Sequence, residues 1–187
     1  MAMPRLRAED TLLFVVDVQE RLMPTIHDAD ELVATVGVLG EFATMLEIPA
    51  IVTEQYVRGL GSTVEPIATP LAEARRVEKT RFSGVVPEVL DLLRRHARPN
   101  ILLCGIEAHV CVLQTTLDLL AAGFIPWLVV DGISGSDRRQ MAVALDRMVR
   151  AGAVPTGAMS AIYEILGDAS HPRFRGALEL AKRLPRR

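Results

Sequence analysis

The sequence predicts an α/β fold: a three-layer αβα arrangement with a mostly parallel six-stranded sheet and helices on both faces. Three observations carry this. Strand and helix patterns alternate five times, which argues for crossover units rather than hairpins. Residues 12–16, 101–104 and 124–130 are continuous apolar runs, the pattern of strands buried on both faces. No linker, internal repeat or low-complexity segment splits the chain, so 1–187 reads as a single domain. An alternation of this kind is Rossmann-like.

Taken in order, residues 12–16 form the first strand, and Asp17 stands at its carboxyl end. Residues 18–24 leave the sheet as a loop, punctuated by Pro24 and then His27-Asp28. Asp30 is the expected N-cap of a helix over 31–46, with Leu32, Val36, Leu39 and Phe42 or Ala43 on its inner face. Residues 49–52 make a second strand that closes in Thr53-Glu54-Gln55. A long connection over 56–70 carries Gly59, Gly61 and two prolines; loops of this length without regular structure are often site walls. Its Gly59-Leu60-Gly61-Ser62 is a poor phosphate loop, because no strand runs into it and no lysine follows.

Residues 76–79 read as a third strand, weak in apolar content and ending at Lys79. Pro87 suits the first turn of the next helix, which carries Val89, Leu90, Leu92 and Leu93 and ends near Ala97. Residues 100–104 are the fourth strand, and Gly105 turns the chain. A helix over 109–122 follows, with Val112, Leu113, Thr116, Leu117, Leu119 and Leu120 at helical spacing, and Gly123 stops it. A fifth strand ends in Asp131, and Ser136 or Asp137 caps a helix to Ala151. A short sixth strand at 153–155 and helices at 158–166 and 172–183 complete the chain.

Composition excludes several classes. Half of the residues are hydrophobic and 24% are charged, an ordinary globular balance. A net charge of −2 offers no field for a phosphate backbone, so no nucleic-acid partner is expected, and the basic tail over 182–187 reads as a solvated end. The polar N-terminus does not read as a signal peptide, and no apolar run reaches membrane-spanning length. Cys104 and Cys111 do not make a disulfide framework or a zinc site. A reduced, cytoplasmic setting is expected.

The chemistry collects at strand ends, where open α/β sheets bind ligands. Asp17 closes strand one, Lys79 closes strand three, and Cys111 follows strand four. Cys111 sits in the first turn of its helix, where unpaired N–H groups and the helix dipole make a thiol more acidic. A carboxylate near a thiol can take its proton, and an ammonium can steady both anions. Taken singly, each residue has a plainer reading: a core cysteine, a turn-forming aspartate, a solvated lysine.

Val-Val-Asp17-Val-Gln, Glu-Lys79-Thr-Arg-Phe-Ser and Gly105-Ile-Glu-Ala-His-Val-Cys111 together resemble the isochorismatase-like cysteine hydrolases. Thr53-Glu54-Gln55-Tyr56, Gly59-Leu60-Gly61, Thr115-Thr116-Leu117-Asp118 and Gly167-Asp168 with His171-Pro172 resemble the branch called isochorismatase domain-containing proteins. The resemblance covers nearly the whole chain. It implies a Cys111-Asp17-Lys79 triad that hydrolyses a small amide or carbonyl substrate through a thioester. It also implies a cis peptide between Ile106 and Glu107, and an oxyanion hole from the N–H groups of Glu107 and Cys111. Gln19, Gln55, Tyr56, Phe82 and His109 are candidates for the substrate pocket. Each has a structural alternative: Gln19 as a cap on backbone groups near Asp17, Tyr56 and Phe82 as core aromatics, His109 as an exposed helix-start residue. Glu54 and Glu107 are candidates for tuning charge around the pocket, and Trp127 for core packing.

Related nicotinamidases hold a metal after strand two, where this chain has Gln55 and Val57; its four histidines do not cluster in sequence, so no metal and no cofactor are expected. Isochorismatases proper cleave a vinyl ether without needing the cysteine, so Cys111 favours acyl chemistry. A thiol-based redox protein is the alternative from another class. The resemblance further implies a homo-oligomer.

Overall fold

A computed structural model describes residues 5–185. The first four residues of the polar N-terminal stretch and the last two of the basic tail lie outside them. Six strands form one sheet: β1 (Thr11–Val16), β2 (Ala50–Gln55), β3 (Arg75–Lys79), β4 (Asn100–Gly105), β5 (Ile125–Ile133) and β6 (Val154–Thr156). Their order is β3-β2-β1-β4-β5-β6, and every pairing between strands is parallel. The sheet is therefore wholly rather than mostly parallel. Its order reverses between β1 and β4, so Asp17 and the Cys111 segment leave adjacent strands at the switch point, where open α/β sheets bind ligands.

The described residues form eight α-helices, most of them packed on the two faces: α1 (Ala29–Met45), α2 (Val57–Leu60), α3 (Glu65–Ala68), α4 (Pro87–His96), α5 (Leu113–Ala121), α6 (Arg138–Arg150), α7 (Ala158–Leu166) and α8 (Phe174–Lys182). Side chains alternate across a strand, and β1 shows the result. Leu13 and Val15 pack with Val36, Leu39 and Phe42 of α1 and Ile162 of α7. Leu12, Phe14 and Val16 pack with Val89 and Leu93 of α4, Leu119 of α5 and Met148 of α6. Both faces of β1 are thus sealed, which is why its run is uninterrupted by polar residues.

The structure corrects four sequence expectations. Helix α1 begins at Ala29 behind Asp28, not behind Asp30, and Asp28 has left-handed backbone and makes no side-chain cap. The 56–70 connection is not irregular: α2 and α3 lie within it. β5 runs past Asp131 to Ile133, because a register shift between Leu103 and Gly105 lets the ladder continue. Asp131 does not end the strand; it caps α7 by accepting from the Ala158 N–H at 2.8 Å. The helix after β4 opens with a π-helical turn over Ala108–Val112 before α5 begins. Asp137, rather than Ser136, caps α6, accepting from the N–H groups of Arg139 and Gln140.

Candidate active site

Asp17 is the first residue beyond β1 and has a φ of 52°. Aspartate tolerates this left-handed backbone better than the β-branched residues before it. Its N–H still donates to Thr53 O at 3.1 Å, so the side chain is anchored at the sheet's carboxyl edge. Oδ1 accepts from the Thr53 hydroxyl at 2.8 Å. Oδ2 accepts from Lys79 Nζ at 2.5 Å, with the two side chains 1% and 0% exposed. Burying both charges is costly unless the pair is close and its other bonding positions are filled. They are filled here. The ammonium also points at Gln55 Oε1 (2.8 Å), Arg81 O (3.1 Å) and Phe82 O (3.2 Å). Four acceptors share three protons.

Cys111 is the fourth residue of the π turn and is buried. Gly105 makes the approach to it possible: its φ is 126°, and a Cβ there would lie 2.1 Å from Val16 O. The following Ile106–Glu107 peptide is cis. Glu107 O then accepts from the N–H groups of both Val110 (3.0 Å) and Val112 (3.1 Å), which shapes the wide turn.

The expectation of an acidified thiol is corrected. Burial pushes the Cys111 thiol up to about 12, and the Asp17 carboxylate pushes in the same direction by charge and by hydrogen bonding. The Lys79 ammonium and the Glu107 N–H oppose this without overcoming it. The helix start cannot compensate for lost water and a neighbouring anion. At neutral pH Cys111 rests as a thiol beside the Asp17 carboxylate. Its alkylation by iodoacetamide, followed by peptide mapping, is expected to be slow at pH 7 and to rise about tenfold per pH unit up to at least pH 10. A plateau below pH 9 would contradict a protonated resting thiol.

The remaining candidates separate. Gln19 is fully buried; its Nε2 donates to Gln55 O (3.0 Å) and Gly61 O (2.6 Å), and its Oε1 accepts from Gln55 N (2.7 Å). It latches the α2 segment to β2 and is no part of an exposed wall. The Gln55 side chain is likewise committed, between Lys79 Nζ and Thr80 O (2.9 Å). Tyr56 and Phe82 are not core aromatics: they are 52% and 54% exposed, on residues next to Gln55 and Arg81. His109 is partly buried; Nδ1 has no hydrogen-bond partner, and Nε2 lies 3.7 Å from Glu107 Oε2. The Glu107 carboxylate is held by the Ser136 N–H at 2.7 Å and by its hydroxyl. Trp127 is core, its Nε1 donating to Asn100 Oδ1 at 3.0 Å. A groove of about 490 Å³ lies beside the site, lined by Lys79, Arg81, Val86 and Pro87 among others but not by Asp17 or Cys111.

Two participants, Thr53 and Thr115, went unassigned in the sequence, and Glu54, expected to tune charge around the pocket, is found bound to Thr63. Thr53 holds the second oxygen of Asp17. Glu54, buried, accepts from both the N–H and the hydroxyl of Thr63 at 2.7 Å, fixing the far end of the α2 segment. Thr115 joins the Cys111 turn to Gly84. Among the described residues, no group of three or more His, Cys, Asp or Glu comes together to hold a metal, and no helix is long and apolar enough to cross a membrane.

A wholly parallel αβα sheet with an acid, an ammonium and a thiol gathered at its switch point defines an α/β protein of the isochorismatase fold. The chain belongs to the isochorismatase family of hydrolases, residues 11–160 matching the family's isochorismatase domain. It is 40% identical to the secreted isochorismatase effector Isc1 of Phytophthora sojae, over 95% of this chain and 87% of that protein. Isochorismatase domain-containing protein 2 of Homo sapiens is 38% identical, over 92% of this chain and 83% of its own length. A solved structure of a protein named MAR1 ribonuclease, from Caenorhabditis elegans, superposes with a TM-score of 0.92 at 39% identity, covering 95% of this chain and 92% of the other.

Proposed function

We propose that this protein is a cysteine-dependent hydrolase of a small amide or carbonyl-type substrate, acting on C–N bonds other than peptide bonds. One observation carries the reading: the buried Lys79–Asp17 contact of 2.5 Å, with both charges acting on the Cys111 thiol. Asp17 takes the thiol proton as sulfur bonds to the substrate's carbonyl carbon. The C–N bond then breaks, and Asp17 passes that proton to the departing nitrogen. Water attacks the thioester, one of its protons goes to Asp17, and the sulfur leaves and is reprotonated from it. The N–H groups of Glu107 and Cys111 are the donors assigned to the oxyanion in both halves; one such donor is typically worth about 3–4 kcal/mol. Lys79 donates to Asp17 Oδ2 and holds that carboxylate in place. Tyr56 and Phe82 supply the exposed rim over which a small molecule enters.

A redox role gains no support. The thiol is protonated at rest, and Cys104 is fully buried with its own ionisation pushed still higher, so no resolving thiol is poised. Vinyl-ether cleavage, the reaction implied by the name of the Phytophthora protein, stays as the second reading, since proton transfer by Asp17 alone would serve it. RNA cleavage, implied by the name of the worm protein, ranks lower for a chain of net charge −2. The protein is taken to act in the cytoplasm as a homo-oligomer.

The test is acid-quenched turnover of a panel of small amides, with ammonia assay and peptide mapping. The expected result is ammonia release with acyl mass on the Cys111 peptide. Acyl mass on another residue, or ammonia release that persists in Cys111→Ala, would overturn the reading.

A further inference from the structure

The Thr115 hydroxyl makes two hydrogen bonds inside the protein, and both reach the proposed centre. It donates to Cys111 O at 2.6 Å and accepts from the Gly84 N–H at 2.7 Å. Gly84 belongs to the same loop as Arg81 and Phe82, whose carbonyls receive the Lys79 ammonium. The loop sits tightly there: a Cβ on Gly84 would come within 2.9 Å of Phe14 Cζ and 3.2 Å of Thr115 Oγ1. Thr115 itself is fully buried. A helical threonine bonding back to the carbonyl four residues earlier is ordinary. Its second bond, to a segment that follows another strand, is not required by the helix.

We propose that Thr115 is a positioning residue whose hydroxyl ties the Cys111 turn to the loop that holds Lys79, and so sets the geometry between the thiol and the Asp17–Lys79 pair. The reach is short and continuous: Cys111 carbonyl, Thr115 hydroxyl, Gly84 N–H, then the Phe82 and Arg81 carbonyls on the ammonium. Neighbouring Thr116 also bonds back to the π turn, to Val112 O at 2.8 Å, but not to the Lys79 loop, and so serves as the internal control for the second bond. This assignment rests on the hydrolase reading for its catalytic meaning but not for its test.

The test compares Thr115→Val, Thr115→Ser and Thr116→Val in the full chain. Cys111 alkylation by iodoacetamide is followed from pH 7 to 10 by peptide mapping, with thermal unfolding measured on each variant. Thr115→Val is expected to slow alkylation about tenfold, the change made by one unit in thiol ionisation. Thr115→Ser restores the wild-type rate, and Thr116→Val leaves it unchanged. On any amide that wild type turns over, Thr115→Val lowers kcat and leaves KM. A folded Thr115→Val with wild-type alkylation overturns the proposal. So does a Thr115→Ser that is slowed like the valine variant, since packing rather than the hydroxyl would then matter. Thr115→Ala supplies the hydroxyl deletion if the valine variant fails to fold. Should wild type hydrolyse no amide, the alkylation comparison still decides this assignment on its own.

Discussion

Lys79→Met is expected to cost about 3–5 kcal/mol of folding stability at pH 7, read from urea denaturation. The loss does not measure the strength of the ion pair. It measures what remains: an Asp17 carboxylate 1% exposed, with Thr53 as its hydrogen-bond donor and no counter-charge at 2.5 Å. The carbonyls of Arg81 and Phe82 and the Gln55 oxygen lose their donor as well. The double variant Lys79→Met/Asp17→Asn should recover at least half of the lost stability, because no unpaired charge is then buried. If the double variant is less stable than the single one, the pair contributes real binding energy and this account of it fails.

The second large effect separates the two chemical readings. Asp17→Asn should lower turnover about 10²–10⁴-fold whichever bond is cleaved, since the proton carrier is gone. Cys111→Ala should abolish amide hydrolysis to background. On isochorismate the same variant should keep most of any activity present, because a vinyl ether needs protonation and water but no sulfur nucleophile. Steady-state kinetics of both variants on both substrate classes give four rates. Equal loss on isochorismate in Cys111→Ala would place the sulfur in that reaction too, and would remove the distinction drawn here.

The sheet was legible because its physics is local. Residues 12–16 and 101–104 are apolar without a break since both faces are covered, and that shows in the chain itself. The gathering of Asp17, Lys79 and Cys111 was legible for a topological reason: all three fall at carboxyl ends of parallel strands, and such ends share one edge. What could not be read were relations between loops. Gln19 looks like any polar loop residue until Gln55 and Gly61 are beside it. Thr115 sits in a helix without signalling that Gly84 will reach it. The extra residue in the π turn shows as the Val112 N–H reaching Glu107 O, a local backbone bond that no apolar periodicity announces. The thiol's acidity was misjudged because a helix start is visible in sequence, while burial and the proximity of a carboxylate are not.

The inward commitment of the Lys79 ammonium has an evolutionary side. With every hydrogen directed at Asp17, Gln55 or a loop carbonyl, that cation has nothing left to offer a guest molecule. Under the hydrolase reading proposed above, selectivity would then fall to other groups, such as the exposed Tyr56 and Phe82, which can change without disturbing the buried Asp17–Lys79 pair. Such a division would let descendants of one ancestral gene acquire new diets while inheriting an unaltered engine.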